Sequence, residues 1–195
     1  MRMKGYLLLS VICSCHLLQS AAAGTNLLSI HLVAKDAKEE AKLWDWQTNT
    51  ANLRLMSPPV LADADFVSFD WTNQTFVITA QAAQRLARAI YGREGRAPTL
   101  LRNDDYQLIV CPAPFVMKAF DEPVYMGAFW SDIFSYSFDG PVIYSREFVI
   151  NSNLTANVTF DIKFDASSAE PGVVDPRRDR RILGAVQRLF SYEKR

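Results

Sequence analysis

Reactive side chains are scarce in this chain. Its 195 residues include two histidines, His16 and His31, and three cysteines, Cys13, Cys15 and Cys111. Three of those five lie in the first 16 positions, within a stretch that reads as a removable leader. The remainder holds one histidine and one cysteine, which excludes a multi-histidine metal centre and an intramolecular disulfide. A Cys–His nucleophilic pair would have to join Cys111 to His31. Cys111 ends the apolar run Leu108–Cys111 and reads as a buried, inert thiol. His31 falls on the polar side of an alternating strand and reads as a surface residue. Also missing are a Gly-rich phosphate loop, a Gly-x-Ser-x-Gly elbow and a His-Glu-x-x-His helix. Neither charge is in excess, with 21 Lys+Arg against 21 Asp+Glu, so the positive footprint of a nucleic-acid binder is not indicated. No cofactor is expected.

What is present begins with that leader. Arg2 and Lys4 precede an apolar stretch from Gly5 to Leu18, and Gln19-Ser20 leads into Ala21-Ala22-Ala23. A charged start, an apolar centre and small residues at −3 and −1 form a secretory signal, with cleavage expected after Ala23. The apolar stretch is too short for the roughly 20 residues a membrane-crossing helix needs. Ile12-Cys13-Ser14-Cys15 approximates a lipobox, so lipidation at Cys15 is the alternative. Both readings export the domain to the periplasm or beyond. Residues 1–23 are then the signal and 24–195 a single domain. That domain would touch a membrane only through a lipid on Cys15 or an uncleaved leader. Losing Arg2 and Lys4 leaves 19 basic against 21 acidic residues.

About half the residues are apolar and 12% are aromatic, enough for a buried core. Apolar and polar residues alternate from Leu28 to Lys35, the period of a half-buried strand. Asp36–Trp46 fits either a charged loop or a turn or two of helix. Phe66–Trp71 and Gln74–Ile78 flank a polar turn as a hairpin would. Thr79 then caps a helix whose inner face is Ala82, Ala83, Leu86, Ala87 and Ile90, and Gly92 helps to end it. Further strands are expected over Tyr106–Cys111, Phe115–Phe120, Val124–Trp130 and Pro141–Tyr144. In a separate late strand, Val158, Phe160, Ile162 and Phe164 alternate with polar residues. Asp175-Pro176 starts a final helix with the stripe Ile182, Leu183, Val186, Leu189 and Phe190. The fold class expected is α+β, an antiparallel sheet with helices packed mainly on one face.

Several clusters resemble functional groups. Asp63 with Asp65, Asp104 with Asp105, and Asp132 with Asp139 are carboxylate pairs, but a hydrolase needs two acids facing across a cleft. Asp63 and Asp65 read as turn or cap acceptors. Arg177, Arg178, Arg180 and Arg181 surround Asp179 and read as the solvated face of the last helix. Positive charge in a first helical turn opposes the helix dipole, which calls for acidic partners elsewhere. Tyr125, Phe129, Trp130, Phe134, Tyr136 and Phe138 form an aromatic-dense stretch. Core packing accounts for most of it, and its surplus is the candidate binding surface for an apolar or peptide ligand. Asn73, Asn153 and Asn157 open glycosylation sequons that matter only in a eukaryotic source.

Three runs carry a family resemblance: PVLADADFVSFDW at Pro59–Trp71, FVITAQAAQRLARAI at Phe76–Ile90, and EPVYMGAFWSDIFSYSFDGPVI at Glu122–Ile143. Their order resembles the periplasmic head subdomain of SecD, the accessory subunit of bacterial protein export, and more closely small exported proteins with only such a head-like domain. The similar core spans approximately 59–145, followed by a C-terminal strand and helix over 154–192. The resemblance implies an α+β sandwich used for protein contacts, and it carries over no catalytic residue. The chain has no transmembrane segments after the leader, unlike the full export subunit. The function expected is therefore non-catalytic: protein or peptide binding, or scaffolding, in the cell envelope. The alternatives are a carboxylate hydrolase built on acids such as Asp132 and Asp139, and a lipoprotein tethered at Cys15.

Overall fold

The structure, a computed structural model, describes residues 25–34, 50, 53–92, 113–130, 138, 140–144, 156–164 and 174–191. Among these residues seven strands and two helices follow one another as β1 (Leu28–Leu32), β2 (Phe66–Asp70), β3 (Thr75–Ile78), α1 (Ala80–Gly92), β4 (Ala113–Ala119), β5 (Glu122–Trp130), β6 (Val142–Tyr144), β7 (Val158–Asp161) and α2 (Arg180–Ser191). One sheet is ordered β1-β4-β5-β6 and the other β2-β3-β7. Every pairing is antiparallel except β5 with β6. The class is α+β.

Side-chain alternation decides where the core sits. Leu28, Ile30 and Leu32 of β1, Phe115 and Met117 of β4, and Tyr125 and Phe129 of β5 share one buried cluster. The second sheet adds Phe66, Phe76, Ile78 and Phe160, with Phe76 stacked on Phe160 at 5.5 Å between ring centres. Both helices insert into the same cluster, α1 through Ala82, Ala83, Leu86 and Ile90, and α2 through Ile182, Ala185 and Val186. The opposite face of the four-stranded sheet is also dry. Val33, Val116, Met126, Ala128 and Trp130 meet Phe138 and Val142 there in a second cluster that holds no helical residue among those described. Burial on both faces explains why β5 reads as a nearly continuous apolar run rather than an alternating one.

Local chemistry explains most boundaries. The Thr79 hydroxyl accepts from Ala82 N–H at 3.2 Å and caps α1, as its sequence predicts. The C-terminal helix starts later than Asp175-Pro176 suggests. The Asp175 carboxylate accepts from Arg177 N–H and caps a short 3-10 turn over Pro176–Arg178. The Asp179 carboxylate then accepts from Arg181 N–H at 2.8 Å, at the start of α2. Two aspartates four residues apart thus divide the segment.

The β4–β5 connection also differs from its expected turn at Asp121-Glu122-Pro123. Ala119 pairs with Glu122, leaving a two-residue loop, Phe120-Asp121, with φ of 53° and 61°. Left-handed loop residues match the twist of the flanking strands, but the position normally belongs to Asn or Gly. A bulky side chain there is uncommon. Packing on α2 holds it: the Arg188 guanidinium lies 5.0 Å from the centre of the Phe120 ring, and Gly184 of the same helix lies beside that ring.

The edges of the two sheets are treated unequally. On the outer side of β1, Ala34 N–H donates to Arg54 C=O (2.7 Å), Met56 N–H to Leu32 C=O (2.8 Å) and Val60 N–H to Ile30 C=O (2.9 Å). Val142 of β6 exchanges two 2.8 Å backbone bonds with Lys163, just beyond β7. Among the described residues, β2 has no strand on its outer side. The expected strand Tyr106–Cys111 and the charged segment Asp36–Trp46 lie outside the described residues.

Candidate functional site

The aromatic stretch is divided between the two clusters. Tyr125 and Phe129 lie in the larger cluster, where both rings meet Phe115. Trp130 and Phe138 lie in the smaller one, 5.7 Å apart between ring centres. All four are buried, Trp130 to 4% exposure. β5 alternates its side chains across a sheet covered on both faces, so these rings serve as core. Burial pushes the Tyr125 hydroxyl pKa far above its ordinary range. Phe134 and Tyr136 lie outside the described residues, as do Asp104, Asp105, Cys111, Asp132 and Asp139.

The acids that are described have partners in their own chain. The Asp63 carboxylate accepts from Leu27 N–H (2.9 Å) and Leu28 N–H (2.8 Å), tying the start of β1 to the turn before β2. Asp65 accepts from Ala62 N–H and pairs with Arg85 of α1 at 2.6 Å. These are the acceptor roles their sequence context predicts. Asp70 shapes the β2–β3 turn. Its carboxyl is held below the usual range by the Asn73 backbone N–H and side-chain amide, with further help from Thr72 N–H.

Arg178, Arg180 and Arg181 are exposed, as a solvated face would be, and three members of the cluster also make specific contacts. Arg178 donates to the carbonyls of Trp71 and Thr72, each at 3.0 Å, and lies over the Trp71 ring. Arg177 donates to Ile162 C=O and pairs with Asp175 at 2.6 Å. Arg181 pairs with Asp179 at 2.8 Å and approaches Glu122 at 3.8 Å. These contacts fasten the start of the last helix to both hairpin turns and to the end of β7; the close acidic partners, Asp175 and Asp179, are neighbours in sequence, and Glu122, from another element, stands farther off. The Arg181 hydrogen bond holds the Asp179 carboxyl below its usual range. Burial alone would push Asp175 up, but its hydrogen bonds from Arg177 more than offset this and hold it low. Arg180 is exposed.

One pair has the spacing of a nucleophile and its base. Ser29 Oγ lies 3.3 Å from His31 Nε2, and His31 Nδ1 lies 3.2 Å from Met56 C=O. The hydroxyl is fully buried, so a substrate has no approach to it. His31 is half-buried rather than the surface residue its strand pattern suggests, because the Leu53–Val60 segment lies along β1. Burial lowers its pKa below the ordinary histidine value. The i, i+2 spacing of Ser29 and His31 was visible in the sequence, but nothing local announced the segment that covers them.

Among the described residues, no strand pairs with the outer side of β2, and along Val158–Asp161 none pairs with the outer side of β7. Val67 of β2 is 36% exposed, one of three large apolar side chains exposed among the described residues. A register shift between Phe66 and Ser68 and the exposed Asp70 interrupt the β2 edge, devices that limit indiscriminate strand pairing. Among the described residues no helix is long and apolar enough to cross a membrane, and no group of three or more potential ligands could hold a metal ion.

No family model, curated protein or solved structure matches this chain.

Proposed function

We propose that this chain is an exported, non-catalytic α+β domain that binds an extended protein or peptide segment in the cell envelope, adding it along the outer side of β2. The reading is carried by the difference between β2 and the margins of the four-stranded sheet. The segment from Arg54 to Leu61 runs along β1, and Lys163 closes the end of β6, while among the described residues β2 has no strand on its outer side and carries the exposed apolar Val67. Backbone groups on such an edge supply affinity to an added strand, and neighbouring side chains supply selectivity. The bulge favours a short, chosen segment over uncontrolled sheet extension. The aspartates and arginines around α1 and α2 are already spent on fastening turns and helix ends, which fits a scaffold better than acid–base chemistry.

The signal-like leader supports an envelope location, and the resemblance to the SecD head supports protein contact as the mode of action. The test is capture of partners from native envelope extract with the wild-type chain and with Val67→Lys. A charge at an exposed edge position opposes strand addition without touching the core. Partners lost with Val67→Lys are expected, and translocon subunits among them would tie the domain to export. Capture that survives the substitution unchanged would overturn the edge as the binding site.

A further inference from the structure

We propose that His31 is a pH-responsive fastener, holding the Leu53–Val60 segment on the outer side of β1 at neutral pH and loosening it in mild acid. The inference does not rest on the binding role of β2. It starts from the two polar contacts of the imidazole. Met56 C=O can only accept, so a bond to Nδ1 places the ring proton there and leaves Nε2 as an acceptor. Ser29, whose side chain points to the same face of β1 two residues earlier, then donates its hydroxyl to Nε2. In this neutral form both ring nitrogens and the hydroxyl are satisfied.

Adding a proton breaks that arrangement at one place. Nε2 becomes a donor and faces the hydroxyl that was donating to it. Ser29 Oγ can turn and accept, but its own proton must then find a new partner where water does not reach, since Ser29 is fully buried. The new charge is also half-buried. Among the described residues, the charged groups that act on it are Lys118 on β4, directly opposite Ser29 in the strand register, and Asp121 in the β4–β5 turn. The first opposes the imidazolium and the second favours it, so neither decides the balance. Burial decides it by disfavouring the charged ring, against the Met56 C=O, which accepts from Nδ1–H in both forms and favours the imidazolium.

The cost falls on a particular element. Met56 is bound to β1 on two sides, through its carbonyl to His31 and through its N–H to Leu32 C=O. The protonated ring can still donate from Nδ1 to Met56 C=O, so the cost of the buried charge is relieved by lifting the segment and letting water reach the ring, across a stretch held by a few backbone bonds to Ile30, Leu32 and Ala34. Because burial lowers the folded-state pKa of His31, its stabilising effect is complete above the ordinary histidine pKa. It is lost as pH falls below that value.

Amide hydrogen exchange on the full chain, corrected for intrinsic rates, tests this between about pH 7.5 and about pH 5. The Ala34 and Met56 amides should lose about tenfold in protection in acid, the scale set by one unsatisfied buried hydroxyl. Val77 in β3 should keep its protection. His31→Asn retains a donor for Met56 C=O but cannot titrate, and it should abolish the pH dependence. Unchanged protection in the wild type, or equal pH dependence in His31→Asn, would overturn the proposal. Should that variant fail to fold, an NMR titration of the wild type decides. A ring midpoint below the ordinary value, with the Met56 amide moving at the same midpoint, is expected; a midpoint at or above it, or a Met56 amide that does not respond, overturns the fastener.

Discussion

Gly127 in β5 faces the ring of Phe115 in β4 so closely that a methyl group at its Cα would sit 2.5 Å from the ring edge. The same methyl would lie 2.6 Å from the Pro141 carbonyl oxygen, in the chain leading to β6. The two contacts come from opposite neighbours of β5, so the glycine is a spacing requirement of the four-stranded sheet. Gly127→Ala should destabilise the chain by about 1–3 kcal/mol through overpacking, read as a lower urea midpoint. Phe115→Leu in the same chain should not restore stability, because the Pro141 carbonyl cannot move aside as a flexible side chain can.

Asp63 offers a second check on what holds β1 in place. Its two oxygens each accept a backbone N–H, from Leu27 and Leu28, across 35 residues of sequence or more. Asp63→Ala leaves both donors without that partner and should cost about 2 kcal/mol. Asp63→Asn keeps one carbonyl oxygen and should cost less. Equal losses in the two variants would mean that the carboxylate does not act through this pair of bonds.

Acid should weaken the attachment of α2. Asp179 and Asp175 both have carboxyls held below their usual range in the folded chain, the first by the Arg181 hydrogen bond, the second by Arg177 against the pull of burial. A carboxyl depressed on folding adds stability above its unfolded pKa of about 4 and loses it as pH falls through the lower folded value. Unfolding midpoints should therefore hold from neutral pH down to about pH 4 as far as these groups are concerned, then drop. Asp179→Asn should flatten part of that drop and leave the neutral-pH salt dependence weaker.

The burial of Trp130 turns a binding expectation into a stability one. Trp130→Ala removes a large ring from the cluster it shares with Phe138 and should cost about 3–5 kcal/mol. Loss of partner capture in that variant should follow the loss of folded protein. Capture lost by a fully folded variant, shown by unchanged near-UV circular dichroism, would return the aromatic stretch to the surface role its sequence suggested.

How much of this was legible depended on how local each determinant is. The hairpin β2–β3, the helix α1 with its Thr79 cap and the stripe Ile182–Val186–Phe190 follow from periodicity and cap chemistry within a dozen residues. Asp63 and Asp65 could be read as acceptors from their turn context, though not that Leu27 and Leu28 were the donors. The fate of Trp130 could not be read, because a run such as Val124–Trp130 looks the same whether one face is wet or both are dry. The inward turn of Arg178 toward Trp71, across more than 100 residues, and the cover over His31 are tertiary facts. The two-residue turn at Phe120-Asp121 was hidden because its residues break the usual preference and are held by α2 instead.

The central claim is that the domain works by binding along β2. Its most direct measurement places a photo-crosslinking residue at Val67, and a matched one at the exposed Arg88 on α1, in the chain exposed to native envelope extract. Adducts with an extended protein segment at position 67 and none at position 88 are the predicted result. Equal adducts at both positions, or adducts at position 88 alone, would contradict it.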